Sequence, residues 1–285
     1  MKKITLFVAL FAAMTLSAQT PEWVAQIEIE GQQINSLNCQ NLHELLNAGK
    51  VDKNQEMSVT YDRETSVLRF RNADIKWNDV QNLPFLKVEE NLTIVAEGEN
   101  TVEMQDANYF IVAKSDVTIQ SSSPEGNKLI AYGITWTQVG DKAPYSGIFA
   151  YLDGNVNMTI SNVISSANYF EHAFVGSTNG AAKLTFNNAS VGMIPSAEAT
   201  MEITEMNFIL CAIAKPKDSG FSAELKGIAL NGQLVAGEMI TIRPVGEGLD
   251  QITNDQSSNR KFIKDGQLFI LRDGKTYNAL GVEIK

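Results

Sequence analysis

Short apolar–threonine–apolar triplets recur along the middle of the chain and constrain its fold more than any other feature. They are Leu92-Thr93-Ile94, Val117-Thr118-Ile119, Met158-Thr159-Ile160 and Leu184-Thr185-Phe186, with threonines 25, 41 and 26 residues apart. Strand-forming segments at such a period are typical of a β-solenoid, in which each coil buries its apolar face against the next coil, about 4.8 Å away. The flanking apolar residues then point inward, and the threonines point outward.

A second repeat supports the same architecture, because Ala107-Asn108-Tyr109-Phe110 recurs as Ala167-Asn168-Tyr169-Phe170. We interpret both Tyr-Phe pairs as core ladders rather than a binding stripe. The 41-residue interval predicts a loop or an extra partial coil around the turn cluster Gly140–Pro144. An antiparallel β-sandwich is the alternative, since it gives similar short strands with more hairpins. Asn231-Gly232 is such a hairpin signal, so antiparallel pairing is open for residues 216–247.

The first residues have the pattern of a secretory signal peptide. Lys2 and Lys3 precede an apolar stretch from Ile4 to Leu16, and Ser17-Ala18 supplies small residues for cleavage. The stretch is shorter than the ~20 residues that a membrane-spanning helix needs. We therefore expect residues 1–18 to be removed, and the mature protein to be secreted or held at the outer-membrane surface, with no transmembrane span.

Residues 19–71 are predicted to form an N-terminal β cap, and residues 72–245 are predicted to form the solenoid body. Hairpin patterns occupy residues 26–34 and Val59–Phe70. Asn41–Lys50 is the best helix candidate, since leucines lie on one side and Gly49 is placed to end it.

The end of the chain differs from the body in charge. The whole chain has a net charge of −10, which divides into −15 for residues 19–259 and +3 for residues 260–285, with +2 in the signal segment. The acidic body disfavours nucleic acid as a partner, because a polyanion needs a basic face. Residues 246–259 are polar and are predicted to be a linker. Asp265-Gly266 and Asp273-Gly274 predict the turns of an antiparallel β-meander in the basic tail.

The body resembles a family of secreted bacterial surface proteins. The resemblance depends on Tyr61-Asp62, Asn72–Ile75, Leu92–Ile94 and Gly98–Val102, and it covers about residues 27–190. It implies a right-handed parallel β-solenoid, and it implies almost nothing about activity. Many proteins of that kind are known only as carbohydrate-binding or are uncharacterised.

The tail resembles the C-terminal sorting segment of type IX secretion cargo. The residues that carry this resemblance include Gly266, Gln267, Asp273, Gly274, Tyr277 and Gly281. It implies recognition by the outer-membrane secretion machinery, followed by release or attachment at the cell surface. The tail is shorter than the usual sorting domain, so a β-meander that caps the solenoid end is the alternative.

Motifs for catalysis are weak. The only histidines are His43 and His172, and no G-x-S-x-G is present, so a nucleophilic triad is not indicated and no catalytic residue is predicted. A polysaccharide lyase or glycosidase that uses carboxylates on one solenoid face is an alternative, since sequence alone selects no pair among 33 acidic residues. A structural cell-envelope protein is the third possibility.

Aromatic and acidic residues supply the candidate sites. Exposed aromatics stack on sugars, and the candidates for that role are Trp77, Trp136, Tyr145 and Tyr151. Strand parity places Glu97, Glu99 and Glu103 on one face, where they would form a weak calcium site or merely a solvated surface. We therefore expect a non-catalytic binding or adhesion protein with no other cofactor, whose partner is a surface glycan or a host or cell-surface protein.

The two cysteines test the solenoid prediction. About six coils at about 4.8 Å each would separate Cys39 from Cys211 by about 30 Å. A disulfide needs Cα atoms within about 7 Å. We therefore predict two buried, unpaired thiols, although an oxidising compartment favours disulfides.

Overall fold

The fold is a β-solenoid, as the triplets predict. The computed structural model describes residues 19–78, 83–105, 109–121, 127–134, 147–168, 170, 172–195, 200–245, 259–264, 267–272, 275–278 and 283–284. Nearly all of the regular structure in these residues is β-strand, and consecutive coils stack in parallel. The predicted all-β solenoid is therefore confirmed.

Three long sheets form the walls. Sheet A contains β1 (Val24–Ile29), β2 (Gln32–Asn35), β7 (Pro84–Val88), β10 (Tyr109–Ala113), β13 (Ile148–Leu152) and β16 (His172–Gly176). Sheet B contains β3 (Gly49–Lys50), β6 (Ala73–Asn78), β9 (Glu99–Gln105), β12 (Lys128–Ile134), β15 (Ile164–Asn168), β18 (Ser190–Met193), β20 (Cys211–Lys215) and β24 (Ile240–Pro244). Sheet C contains β4 (Ser58–Asp62), β5 (Val67–Arg71), β8 (Leu92–Glu97), β11 (Val117–Gln120), β14 (Asn157–Ser161), β17 (Lys183–Asn187) and β19 (Glu205–Asn207).

Each coil passes through sheets A, C and B in that order. The coils are β7–β8–β9, β10–β11–β12, β13–β14–β15 and β16–β17–β18. Thr93, Thr118, Thr159 and Thr185 are paired directly from one strand of sheet C to the next. Because Thr118 pairs directly with Thr159, no further strand of sheet C lies between them in the 41-residue interval. The turn cluster at 140–144 lies outside the described residues.

Aromatic side chains stack along the core behind sheet A. The ring of Phe110 lies 5.5 Å from that of Phe85 and 5.1 Å from that of Phe149, and Phe149 lies 5.4 Å from Phe174. Phe110 and Phe170 are both fully buried, which confirms their predicted core role. This ladder runs across successive coils and ties them into one continuous core.

Asparagines turn the chain from sheet C into sheet B. Asn72, Asn162 and Asn188 have φ angles of 48°, 51° and 49°, in the left-handed region that asparagine tolerates. The Asn188 side-chain amide donates to Asn162 Oδ1 at 2.8 Å, so the corners support one another. Gly98 (φ 67°) takes this place in one coil, since a Cβ there would lie 1.9 Å from Asn72 Oδ1.

An antiparallel cap closes the N-terminal end. β1 pairs with β2 and β7, and β4 pairs with β5, which confirms both predicted hairpins. The helix α1 spans only Leu42–Leu45, instead of the predicted Asn41–Lys50. Asn47 turns the chain with a φ of 46°, and Gly49–Lys50 then pairs with β6 as β3. In the described part of the chain, no helix reaches the length and apolarity needed to cross a membrane.

The C-terminal end is also closed by antiparallel strands. β24 lies between β18 and β20 and runs antiparallel to both. A small sheet of β21 (Gly220–Ser222), β22 (Gly227–Leu230) and β23 (Gln233–Leu234) is antiparallel too, with its second hairpin turning at the predicted Asn231-Gly232. The amide of Ile203 donates to the carbonyl of Lys226 at 2.8 Å, which joins this sheet to the last coil.

The basic tail forms the predicted meander. β25 (Asn259–Lys264), β26 (Gln267–Arg272), β27 (Lys275–Asn278) and β28 (Glu283–Ile284) pair antiparallel in sequence order. The predicted linker lies almost entirely outside the described residues.

Both cysteines are buried and neither forms a disulfide, as predicted. Cys39 lies in the N-terminal cap, whereas Cys211 begins β20 near the other end.

Candidate functional site on the outer face of sheet A

The outward positions of sheet A form an apolar and aromatic surface, which we name the tyrosine face. Its residues lie in two rows across four coils. One row is Pro84, Tyr109, Ile148 and His172, and the other is Lys87, Val112, Tyr151 and Val175, all of them half-buried. A rigid parallel sheet therefore presents two tyrosines among aliphatic neighbours.

Tyr109 and Tyr151 are diagonal neighbours on β10 and β13. Tyr109 pairs with Ile148, and Tyr151 pairs with Val112. The two rings have centroids 5.9 Å apart and planes inclined by 55°. Burial raises the pKa of the Tyr151 hydroxyl, and the nearby Asp153 carboxylate and Tyr109 raise it further. The hydroxyl is thus a neutral donor and acceptor over the physiological pH range.

Polar groups border the tyrosine face. The Ser177 hydroxyl accepts a hydrogen bond from the amide of Gly154 at 3.0 Å. The Ser177 hydroxyl also lies close to the Tyr151 hydroxyl. His172 Nδ1 lies 3.4 Å from the carbonyl of Thr200. At the opposite border, Lys87 Nζ lies 2.9 Å from Glu28 Oε1. Apolar rings with polar groups at the margin suit a ligand that has one apolar face and a polar edge.

A local departure from alternation places the tyrosines outward. In β10, Phe110 and Ile111 are consecutive and both buried, so the outward positions are the first and fourth of the strand. β13 has the same burial pattern. A tyrosine in first position on β10 and one in fourth position on β13 therefore become diagonal neighbours.

The predicted aromatic residues separate into different environments. Tyr151 lies on the tyrosine face, as a binding role requires. Trp77 is only 9% exposed and packs edge-on against Phe85 at 5.7 Å, so it contributes to the core. Trp136 and Tyr145 lie outside the described residues.

Sequence reasoning misses the outward position of Tyr109 by assigning it to the core together with Phe110. The sequence does contain a signal for the outward position of Tyr109. The segments Pro84–Val88, Tyr109–Ala113 and Ile148–Leu152 share apolar residues at their second, third and fifth positions, and all three show the same burial pattern.

Glu97, the first of the predicted calcium ligands, lies against two arginines of the neighbouring strand β5. Arg71 Nη2 is 2.6 Å from Glu97 Oε2, and Arg69 contacts the other carboxylate oxygen. Burial raises the pKa of Glu97, but the hydrogen bonds from Arg71 and Arg69 outweigh it and hold the pKa below its usual range. The carboxylate is therefore charged and neutralised by protein cations.

The other two predicted calcium ligands also face cations. Glu99 lies 3.3 Å from Lys128 Nζ, and Glu103 lies 3.9 Å from Lys76 Nζ. Among the described residues, no group of three or more His, Cys, Asp or Glu side chains is arranged to hold a metal ion. Calcium binding at Glu97, Glu99 and Glu103 stays a prediction.

Two residues of the predicted sorting segment fall within described strands. Gln267 begins β26, and Tyr277 lies in β27. The others, Gly266, Asp273, Gly274 and Gly281, lie outside the described residues. The role of this segment in export stays a prediction.

Comparisons with protein-family models, curated proteins and solved structures found no match to this chain. The chemistry of the tyrosine face is therefore the basis for a functional proposal. That chemistry combines aromatic rings, aliphatic neighbours and a polar margin on one rigid sheet.

Proposed function

We propose that this protein is a non-catalytic binding protein, secreted or displayed at the cell surface, that holds a glycan on the tyrosine face. One observation carries the proposal. Tyr109 and Tyr151 lie together on an outward face of sheet A, with ring centroids 5.9 Å apart. Sugar rings carry an apolar C–H face that packs on aromatic rings, and their hydroxyls pair with polar groups at the margin.

The outward apolar residues support a binding role because the fold does not require them. Inward residues alone form the continuous core. On sheet C the outward row is threonine, which forms strands well and stays soluble. Contiguous apolar residues on an outer face are typical of an interaction site.

The rigidity of the face also favours binding. Its eight positions lie on four strands paired in parallel register, so a ligand meets rings that are already in place. Preorganised contacts lower the entropy cost of association. A flat sheet also matches an extended chain of sugars better than a deep pocket does.

Export outside the cytoplasm is part of the proposal. The apolar N-terminal segment with its two lysines supports a signal peptide, and the basic meander supports a sorting role. Mass spectrometry of the mature protein should find Gln19 at the N-terminus. Deletion of residues 260–285 should retain the protein inside the producing cell, and equal surface display without that segment would contradict the sorting role.

A glycan array combined with a polysaccharide-degradation screen tests the binding role. We expect the mature wild type to bind a defined set of glycans without cleaving them. Tyr151→Ala should lose this binding, whereas Thr159→Ala, a matched outward change on sheet C, should keep it. Release of unsaturated sugars or new reducing ends would instead support the alternative of a lyase or glycosidase, and absence of any glycan binding would leave the structural envelope role.

A further inference from the structure

A second candidate site lies on sheet B, away from the tyrosine face. β15, β18 and β24 form the floor of a shallow depression of about 560 Å³. Its lining residues include Ser190, Gly192, Met239, Thr241 and Arg243. The site thus combines one cation, hydroxyl donors and an apolar wall.

Arg243 differs from three other arginines of the described chain. Arg63, Arg69 and Arg71 all form ion pairs with glutamates. Arg243 is half-buried and forms no ion pair with a described residue. A half-buried guanidinium whose five donors face no carboxylate of the described chain is a natural anion receptor.

The charges around Arg243 favour an anion. β15, β18, β20 and β24 contain no Asp or Glu, and Lys215 on β20 pairs with Thr241 and adds a second cation to this end of the sheet. Glu238 is close in sequence but lines a separate depression with Asn231 and Gln233. These four strands of sheet B are therefore basic, in a chain with a net charge of −10.

The floor of the depression leaves room for a ligand. A Cβ added at Gly192 would meet only the Ser166 hydroxyl within 4 Å, at 3.7 Å, so the space above this glycine is open. Met239 is 49% exposed and supplies an apolar wall beside that space. Ser190 and Thr241 lie on neighbouring strands next to the guanidinium, where they can donate to or accept from a polar ligand.

We propose that this depression binds the carboxylate of an acidic sugar residue. The planar guanidinium of Arg243 matches a planar carboxylate through two parallel hydrogen bonds. The Ser190 and Thr241 hydroxyls bind the sugar hydroxyls, and Met239 packs against the C–H face of the ring. The site does not use the tyrosines of sheet A, so it stands independently of the glycan site proposed there.

Calorimetric titration of the full mature protein with trigalacturonate tests this site, with the neutral trisaccharide galactotriose as the matched ligand. We expect trigalacturonate to bind more tightly than galactotriose. Arg243→Gln should weaken trigalacturonate binding by about 10- to 100-fold, because hydrogen bonds to charged groups contribute that much. Arg243→Lys should restore part of the affinity, since the charge returns without the planar fork.

Two further variants test the shape of the depression and supply a control outside both proposed sites. Gly192→Leu should block binding by filling the depression, without removing any charge. Thr159→Ala, an outward change on sheet C, should leave trigalacturonate affinity unchanged, and thermal melting should show that all variants fold. Unchanged affinity in Arg243→Gln, equal binding of galactotriose, or no binding at millimolar concentration would overturn the proposal. Tighter binding of a sulfated trisaccharide would overturn its assignment to a carboxylate.

Discussion

The outer faces of sheets A and C are built by the same four coils but carry different chemistry. One outward row of sheet C repeats a single residue, because Thr93, Thr118, Thr159 and Thr185 follow one another in register, and the next alternate row is mostly polar: Val95, Gln120, Ser161 and Asn187. The matching rows of sheet A change from coil to coil and include two tyrosines, a histidine and a lysine. Inward positions are fixed by the need to stack coils, whereas outward positions are free to vary. Because coil stacking does not require aromatic residues at outward positions, the tyrosines of sheet A support the binding role proposed for that face.

The largest effect is expected on stability, when a core phenylalanine behind sheet A or sheet C is truncated. Phe149 lies behind sheet A and contacts Phe110 and Phe174, while Phe186 lies behind sheet C and contacts Phe174 and Phe208. Phe149→Ala and Phe186→Ala should each lower the free energy of unfolding by about 3–5 kcal/mol, measured by urea denaturation. A loss below about 1 kcal/mol at either site would show that the sheets are not supported equally.

The carboxyl of Glu30, beside sheet A, should make the stability of the protein depend on pH. Burial raises the pKa of Glu30, at the β1–β2 turn, to about 7, and Oε1 has no hydrogen-bond partner among the described residues. Because the carboxyl pKa is higher in the folded protein than in the unfolded chain, stability is lost as the pH rises from the unfolded-chain pKa through about 7. Glu30→Gln should therefore stabilise the protein by about 1 kcal/mol near pH 8, allowing for solvent screening, and little near pH 4.

Thermal melting at both pH values measures this effect. Glu22→Gln, a change at an exposed site, is the matched control and should shift neither melting temperature. Equal stabilisation by Glu30→Gln at both pH values would contradict a titrating carboxyl at this turn.

Sheet C should respond to pH in the opposite direction. The pKa of Glu97 is lowered, because the contacts with Arg71 and Arg69 outweigh burial. A carboxyl whose pKa is lowered in the folded protein contributes stability at pH values above its pKa in the unfolded chain. This stability is lost as the pH falls through the folded-state pKa. Glu97→Gln should cost about 1 kcal/mol at neutral pH, as expected for partly exposed ion pairs, and little near pH 3. Glu64→Gln provides an exposed control, and a neutral-pH gain in stability for Glu97→Gln would contradict this account.

The smallest effect is expected on the threonine row. Thr159→Val keeps the branched shape that favours a strand and removes only an outward hydroxyl. The free energy of unfolding should change by less than about 0.5 kcal/mol, and glycan binding should not change. A loss of binding in this variant would show that sheet C also contacts the ligand.

Local patterns predict the coils well because each coil repeats the same packing problem. The triplet around Thr118 predicts strands that stack in register with those of Thr93 and Thr159, and this register is observed. The Asp-Gly pairs of the tail likewise predict antiparallel pairing, and Lys264 pairs with Gln267 and Arg272 with Lys275. These features depend on a repeated pattern or on residues close in sequence.

Contacts between distant residues that no repeat specifies cannot be predicted in the same way. β24 pairs with β18, although Ile240 lies far along the chain from Met193, and no repeat specifies this contact. Sequence reasoning places Tyr109 in the core because aromatic residues mostly supply buried area, whereas in the structure Phe110 and Ile111 point inward and Tyr109 points outward. Trp77 shows the reverse case, since an aromatic residue considered for binding packs in the core.

Calorimetric titration of two double variants tests the central claim most directly. The ligand is the glycan with the strongest array signal, and the variants are Tyr109→Ala/Tyr151→Ala and Thr118→Ala/Thr159→Ala, which make matched outward changes on sheets A and C. The tyrosine variant should bind at least about tenfold more weakly than the wild type, because truncating an aromatic hot spot costs about 2 kcal/mol or more. The threonine variant should bind like the wild type, and both should keep their fold in thermal melts. Equal affinity in the two variants, or a loss confined to the threonine variant, would contradict the claim that sheet A is the binding face.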